Sequence, residues 1–261
     1  MTSSVENLAE LWASLDELLS SLDDAAWSLP TGNPGWTVQD NVSHLVDYES
    51  RALGDPPPEH TAPDVAHVKN EIGRHNEVGV DVRRTHSPAE IRAEFRDVTA
   101  RRLAQLRALS DADLERATTT PVGPGTVQSM LTLRVMDTWG HEQDIRRAVG
   151  RPGHVDGAAV DEAIAYFSTL MPYVVGKRAA APEGSTAVFR IGERAPLAIA
   201  VSGGRARPAE DTPTEPTVEL AFPVGTFCAL VCGRSDAPAD YRITGDTELG
   251  ARIVAGMGVM P

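Results

Sequence analysis

Asp137 and His141 stand four residues apart in the stretch from Thr126 to Val149, whose apolar residues recur with a helical period. Turning each residue by about 100° puts Val127, Met130, Leu131, Val135, Ile145, Ala148 and Val149 on one face. Arg134, Asp137, Thr138 and His141 fall on that face or at its border, so ionisable groups interrupt the apolar stripe. On a helix, side chains four apart lie one turn above each other, and a carboxylate oxygen and an imidazole nitrogen can converge on one point. Burying both is costly unless charge and lone pairs are compensated, and a divalent cation compensates both. His44, from an earlier helical segment, is the candidate third ligand. The same spacing also suits a plain Asp137–His141 ion pair, with His44 an ordinary surface histidine about 140° from its own helix's apolar stripe. Spacing alone leaves both readings open.

The elements that must position these residues begin with Val5, Leu8, Leu11, Trp12, Leu15, Leu18, Leu19 and Leu22, an amphipathic stripe that ends before LPTGNPGW. Thr37 and Asp40 form a T-x-x-D start signal for a second helix running to about Leu53. After the connector GDPPPEHTAP, Val65 to Arg84 is expected to be a third helix. Ser87, Pro88 and Glu90 open a fourth, followed by Ile91, Phe95, Val98, Leu103, Leu106 and Leu109. A Thr-, Pro- and Gly-rich loop from Ala117 to Gly125 precedes the helix that carries Asp137. A further helix is expected from Asp156 to about Val175.

Beyond Lys177 the pattern changes. Thr186 to Ile191, Leu197 to Val201, Thr217 to Phe222 and Tyr241 to Thr244 predict short strands. Val224 to Val231 and Thr247 to Ala255 predict two short helices, and EDTPTEP a solvated connector. The expected organisation is multidomain, with an all-α bundle over 1–153, then a linking helix and α+β domain over 154–261.

The chain has 261 residues, 24 Lys and Arg against 37 Asp and Glu, and a net charge of -13. An acidic chain repels polyanions, so nucleic acid is not an expected partner. The N-terminal MTSSVENLAE lacks a basic region followed by an apolar one, and no stretch approaches the roughly 18 apolar residues of a membrane span. The expectation is a cytoplasmic protein with no membrane partner, monomeric or homodimeric. Cys228 and Cys232, four apart in an apolar run, suit buried thiols rather than a disulfide.

NPGWTVQDNVSHLVDYE, followed far downstream by DTWGHEQDIRRAVG, resembles the mycothiol-dependent maleylpyruvate isomerase family. That family lies within a wider group of DinB-like metal-binding four-helix bundles. FPVGTFCALVCGR and YRITGD look like its C-terminal domain, which is similar to sterol carrier proteins. The resemblance implies three metal ligands, His44, Asp137 and His141, with Asp137 standing where the family usually has Glu. It also implies mycothiol as the thiol cofactor; the donor set of two imidazoles and a carboxylate suits zinc best among divalent metals, though Ni²⁺, Fe²⁺ or Mn²⁺ would tolerate it. Asp144, one turn beyond His141, is a candidate to orient its second ring nitrogen or else to pair with Arg147 or Arg151. Glu142 and Gln143 are expected at packing or surface positions. His75 and Asn76 are candidate cofactor contacts, and His60, His67, His86 and His154 carry no pattern.

In the reaction the resemblance implies, the thiol sulfur adds to the double bond of maleylpyruvate, the bond rotates, and elimination gives fumarylpyruvate. Arg134, Arg234 and Arg242 are candidate anchors for a carboxylate substrate, because a guanidinium fork gives two parallel hydrogen bonds. The partners expected are thus a small electrophile and a low-molecular-weight thiol. Two alternatives accompany the isomerase: a mycothiol S-transferase acting in detoxification, and a non-catalytic metal- and ligand-binding protein.

Overall fold

Leu8, Leu11, Leu15 and Leu19 are all buried along helix α1 (Ser4–Ser20), as their spacing requires, with Ser3 capping its first turn. The structure is a computed structural model that describes residues 3–260. Met1, Thr2 and Pro261, the ends of the expected spans 1–153 and 154–261, lie outside the described residues. The chain forms two compact units, one reaching residue 163 and the other covering 164–260.

In the first unit, α2 (Val38–Leu53), α3 (Glu71–Arg83), α4 (Pro88–Arg107) and α6 (Val127–Ala148) follow α1. Helices α1, α2, α4 and α6 make the four-helix bundle: α1 packs on α4 and α6, and α2 on α4 and α6. The third helix, α3, lies against α2. Thr37 and Asp40 form a complete capping box at the start of α2, and Ser87 and Glu90 another at α4 with Pro88 at its first turn. The helix expected from Val65 starts only at Glu71, where the Asn70 side chain accepts the Gly73 N–H. The segment expected as a loop from Ala117 to Gly125 is instead a hairpin of β1 (Ala117–Thr120) and β2 (Gly123–Thr126), after the short helix α5 (Asp111–Leu114). Its Pro and Gly content hid a strand that carries little apolar alternation.

Helix α7 (Ala158–Tyr173) starts in the first unit, ends in the second and continues into a π-helical turn over Val174–Arg178. The second unit holds a five-stranded sheet of β3 (Thr186–Ile191), β4 (Leu197–Ser202), β5 (Arg205–Pro208), β6 (Val218–Phe222) and β7 (Arg242–Gly245). The strand order is β5-β4-β3-β6-β7, with β3 and β6 parallel and the other pairs antiparallel. Strand β5, RARP, escapes sequence recognition because it is an exposed edge ending in Pro208, with no alternation to mark it. Helices α8 (Val224–Val231) and α9 (Thr247–Ala255) complete the unit. Phe189, Phe222 and Phe227 are buried in its core, and Cys228 and Cys232 are buried there without forming a disulfide.

Candidate metal centre

Helix α2 is buried on both sides. Val38, Val42, Leu45 and Val46 are buried, and so are Asp40, Asn41, His44, Asp47 and Glu49. The apolar stripe alone puts His44 at the rim of the bundle. The structure corrects that: His44 is 4% exposed, because α2 meets α4 on one side while α3 and α6 cover the others. Helix α6 behaves similarly. Leu133, Met136 and Trp139, off the expected inward face, are buried, whereas Val127, Met130, Ala148 and Val149 are only half-buried.

His44 of α2 meets Asp137 and His141 of α6. His44 Nε2 lies 3.3 Å from Asp137 Oδ2, and His141 Nε2 lies 3.5 Å from Asp137 Oδ1. One ligand atom from each of the three residues can be chosen so that all lie within 4.8 Å of one another. The two imidazoles stand edge to face with ring centroids 4.9 Å apart. Trp36 covers them, stacked on His141 at 5.8 Å and tilted over His44 at 5.2 Å.

The protonation states suit a cation. Burial pulls the His44 imidazole below its ordinary pKa, against the pull of Asp137, so it is neutral at pH 7 and able to ligate. Burial works to raise Asp137, but the Arg134 guanidinium and the two imidazoles outweigh it and hold the carboxyl well below the usual range. Two imidazoles and a carboxylate form a borderline donor set that fits zinc and its neighbours, at about 2.0–2.2 Å from each atom. Closing three atoms spread over 4.8 Å onto one ion calls for a small side-chain adjustment. The Asp137 side chain is 30% exposed, so the cluster is reachable from solvent on that side.

Arg134 is drawn into the cluster, though its fork is committed. Its Nε donates to Glu49 Oε1 at 2.8 Å and its Nη1 to Asp137 Oδ2 at 2.6 Å, and the guanidinium carbon sits 3.6 Å from the Tyr48 ring centre. Its Nη2 is buried with no hydrogen-bond partner. Glu49 is held from its other side by Arg102 Nε at 3.1 Å. Among the other expected site residues, His75 is exposed on α3, with Arg51 and Asp47 the charges that act on it, and Asn76 is half-buried. Arg234, just after α8, donates to the Cys232 carbonyl, and Arg242 is an exposed residue of β7; both belong to the second unit.

Several residues of the site carried no sequence signal of their own. The partner of His141 Nδ1 at 2.7 Å is Asn41 Oδ1, while Asp144 Oδ2 stands at 3.6 Å and Asp144 Oδ1 takes Arg147 at 2.6 Å. Asn41 precedes His44 by three residues, so the helical period that brings His44 inward brings Asn41 with it. Glu142, expected at a packing or surface position, is fully buried and accepts from Ser14, Arg146 and His154. His154, without a sequence pattern, bridges Glu142 and Glu10, and its carbonyl accepts from Trp139 and Gln143. Likewise His60 pairs with Asp81 and His67 with Glu77.

Residues 8–146 match the family model of the mycothiol maleylpyruvate isomerase N-terminal domain, and residues 158–252 that of the corresponding C-terminal domain. Two uncharacterized proteins of Mycobacterium tuberculosis, from strains CDC 1551 and H37Rv, are each 30% identical over 138 residues. The match covers 52% of this chain and 52% of theirs, so the chain spans about half the length of the curated relatives it matches. A crystal structure of a mycothiol-dependent maleylpyruvate isomerase superposes with a TM-score of 0.56 at 18% identity, over 95% of this chain and 97% of its own. A histidine-to-alanine mutant of such an isomerase gives a TM-score of 0.54 at the same identity and coverage. At that identity the likeness establishes the fold.

Proposed function

Because the chain belongs to the mycothiol maleylpyruvate isomerase family, we propose that it is a metal- and mycothiol-dependent enzyme that isomerises a small maleylpyruvate-like electrophile. The observation that carries this reading is the meeting of His44, Asp137 and His141, from two helices, at one partly open point. A divalent metal bound there, with zinc the best fit to the donors, would supply Lewis acidity and keep an entering thiol as thiolate at neutral pH.

The chain's own residues perform the rest by position. His44 and His141 present imidazole nitrogens from a dry interior, and Asp137 brings the negative charge and the opening to solvent. Arg134 holds Asp137 Oδ2, which leaves Oδ1 on the side of His141. Trp36 covers the imidazoles and excludes water from them. Arg234 and Arg242 remain the proposed anchors for the substrate's carboxylates, joined by Arg134 only through its Nη2, the rest of its fork being taken by Glu49 and Asp137, and His75 and Asn76 remain the proposed thiol contacts. In the same proposal the second unit is a sterol carrier-like domain. The protein is taken to be a cytoplasmic monomer or homodimer without nucleic-acid partners. Its described helices include none long and apolar enough to cross a membrane.

Incubating purified protein with mycothiol and maleylpyruvate, with and without chelator, tests the reading. Catalytic formation of the trans isomer with thiol regenerated, lost on chelation and restored by metal, is the expected result. Stoichiometric consumption of thiol would instead mark an S-transferase. Absence of any thiol-dependent turnover would mark a binding protein.

A further inference from the structure

The Asn41 amide cannot turn over. Its Nδ2 donates to the Thr37 carbonyl at 2.8 Å and to Thr31 Oγ1 at 3.1 Å. A carbonyl can only accept, and the Thr31 hydroxyl already gives its proton to the Trp36 carbonyl at 2.9 Å, so it too must accept from Asn41. With both amide protons directed there, Oδ1 is the atom that faces His141 Nδ1 at 2.7 Å, in a fully buried place. An oxygen acceptor demands a proton on Nδ1. Neutral His141 is therefore the Nδ1–H tautomer, and the lone pair is left on Nε2, the nitrogen beside Asp137.

We infer that Asn41 is a positioning residue that fixes the tautomer of His141 and presents its bare Nε2 to the metal, with Thr31 and the Thr37 carbonyl locking Asn41 in turn. The inference rests on the metal-site reading for its purpose, but not for its test. Asp144 is the competing orienter: at 3.6 Å from Nδ1 it lies beyond hydrogen-bond distance, and it is engaged by Arg147. His44 offers a contrast, since its Nδ1 is buried with no hydrogen-bond partner and the acceptor at its ring is Asp137 Oδ2, 3.3 Å from Nε2.

The test is 15N NMR of the ring nitrogens in metal-free full-length protein, above the pH at which His141 protonates. Wild type is expected to show His141 with a protonated Nδ1 and a bare Nε2. Asn41→Ala should move it toward the Nε2–H form that exposed imidazoles favour. Asn41→Asp, which keeps an acceptor, and Asp144→Asn should retain the Nδ1–H form. Zinc titration of the same proteins should show about 10- to 100-fold weaker binding for Asn41→Ala. A wild-type Nε2–H tautomer overturns the inference, as does a Nδ1–H form that survives Asn41→Ala and is lost in Asp144→Asn. Unchanged zinc affinity in Asn41→Ala also overturns it. Should Asn41→Ala not fold, wild type and Asn41→Asp still decide the tautomer. Should wild type bind no zinc, the metal reading fails while the tautomer result stands on its own.

Discussion

Arg134 Nη1 lies 2.6 Å from Asp137 Oδ2, so the carboxylate that faces both imidazoles is also gripped by a buried guanidinium. Asp137→Asn removes the negative charge from the cluster and weakens this charge-assisted bond, worth about 1.5–3 kcal/mol. Zinc affinity should drop by more than about 100-fold, beyond the cost of losing an outer partner. Competition against a chromophoric chelator measures it, and an affinity within tenfold of wild type would contradict the assignment of Asp137 as a ligand.

Glu49 stands buried between Arg134 and Arg102, with bonds of 2.8 and 3.1 Å. Removing one member of such a buried set leaves cations uncompensated, so Glu49→Gln should lower the unfolding free energy by on the order of 3 kcal/mol. Urea denaturation gives the value, and a loss below about 1 kcal/mol would show that Asp137 alone suffices for Arg134.

The sequence announces the bundle's frame because helix starts and apolar periods are local. Thr37 with Asp40 and Ser87 with Glu90 mark their boundaries by chemistry within four residues. The site is less legible. His44 reads as a rim residue because one apolar stripe suggests one buried face, and only the packing of α3 and α6 shows that α2 has more than one. Asn41 and Glu142 look like ordinary polar residues until the fold supplies His141, His154 and Arg146 as partners from far along the chain. Strand β5 and the β1–β2 hairpin were hidden for a different reason, since backbone pairing at an exposed edge needs no apolar pattern.

Gly79 on α3 offers a case where helix propensity and packing oppose each other. Ala in a helix interior gains roughly 0.5–1 kcal/mol over Gly. A Cβ at Gly79, however, would meet Asp47 Cγ at 2.0 Å, and that buried carboxylate is pinned by Arg51 and Arg83. Gly79→Ala should therefore destabilise by about 1–3 kcal/mol, the usual cost of overpacking. A raised melting temperature would contradict this packing.

His154 supplies a pH dependence. Its hydrogen bond to Glu142, opposed by burial and helped by Glu10, raises its pKa above the ordinary imidazole value. A raised folded-state pKa stabilises fully below the unfolded value of about 6.5, and the contribution is lost as pH rises through the folded value. His154→Gln should thus cost more stability at pH 6 than at pH 9 in thermal melts. An equal cost at both would show that the imidazolium contributes nothing.

The most direct measurement is calorimetric titration of zinc into metal-free wild type and into His44→Ala and His141→Ala, with helicity checked by circular dichroism. Wild type should bind one equivalent, and both variants should lose that binding while keeping their helices, because the two imidazoles sit within one cluster with Asp137. Absence of binding by wild type, or binding undiminished in both variants, would contradict the account.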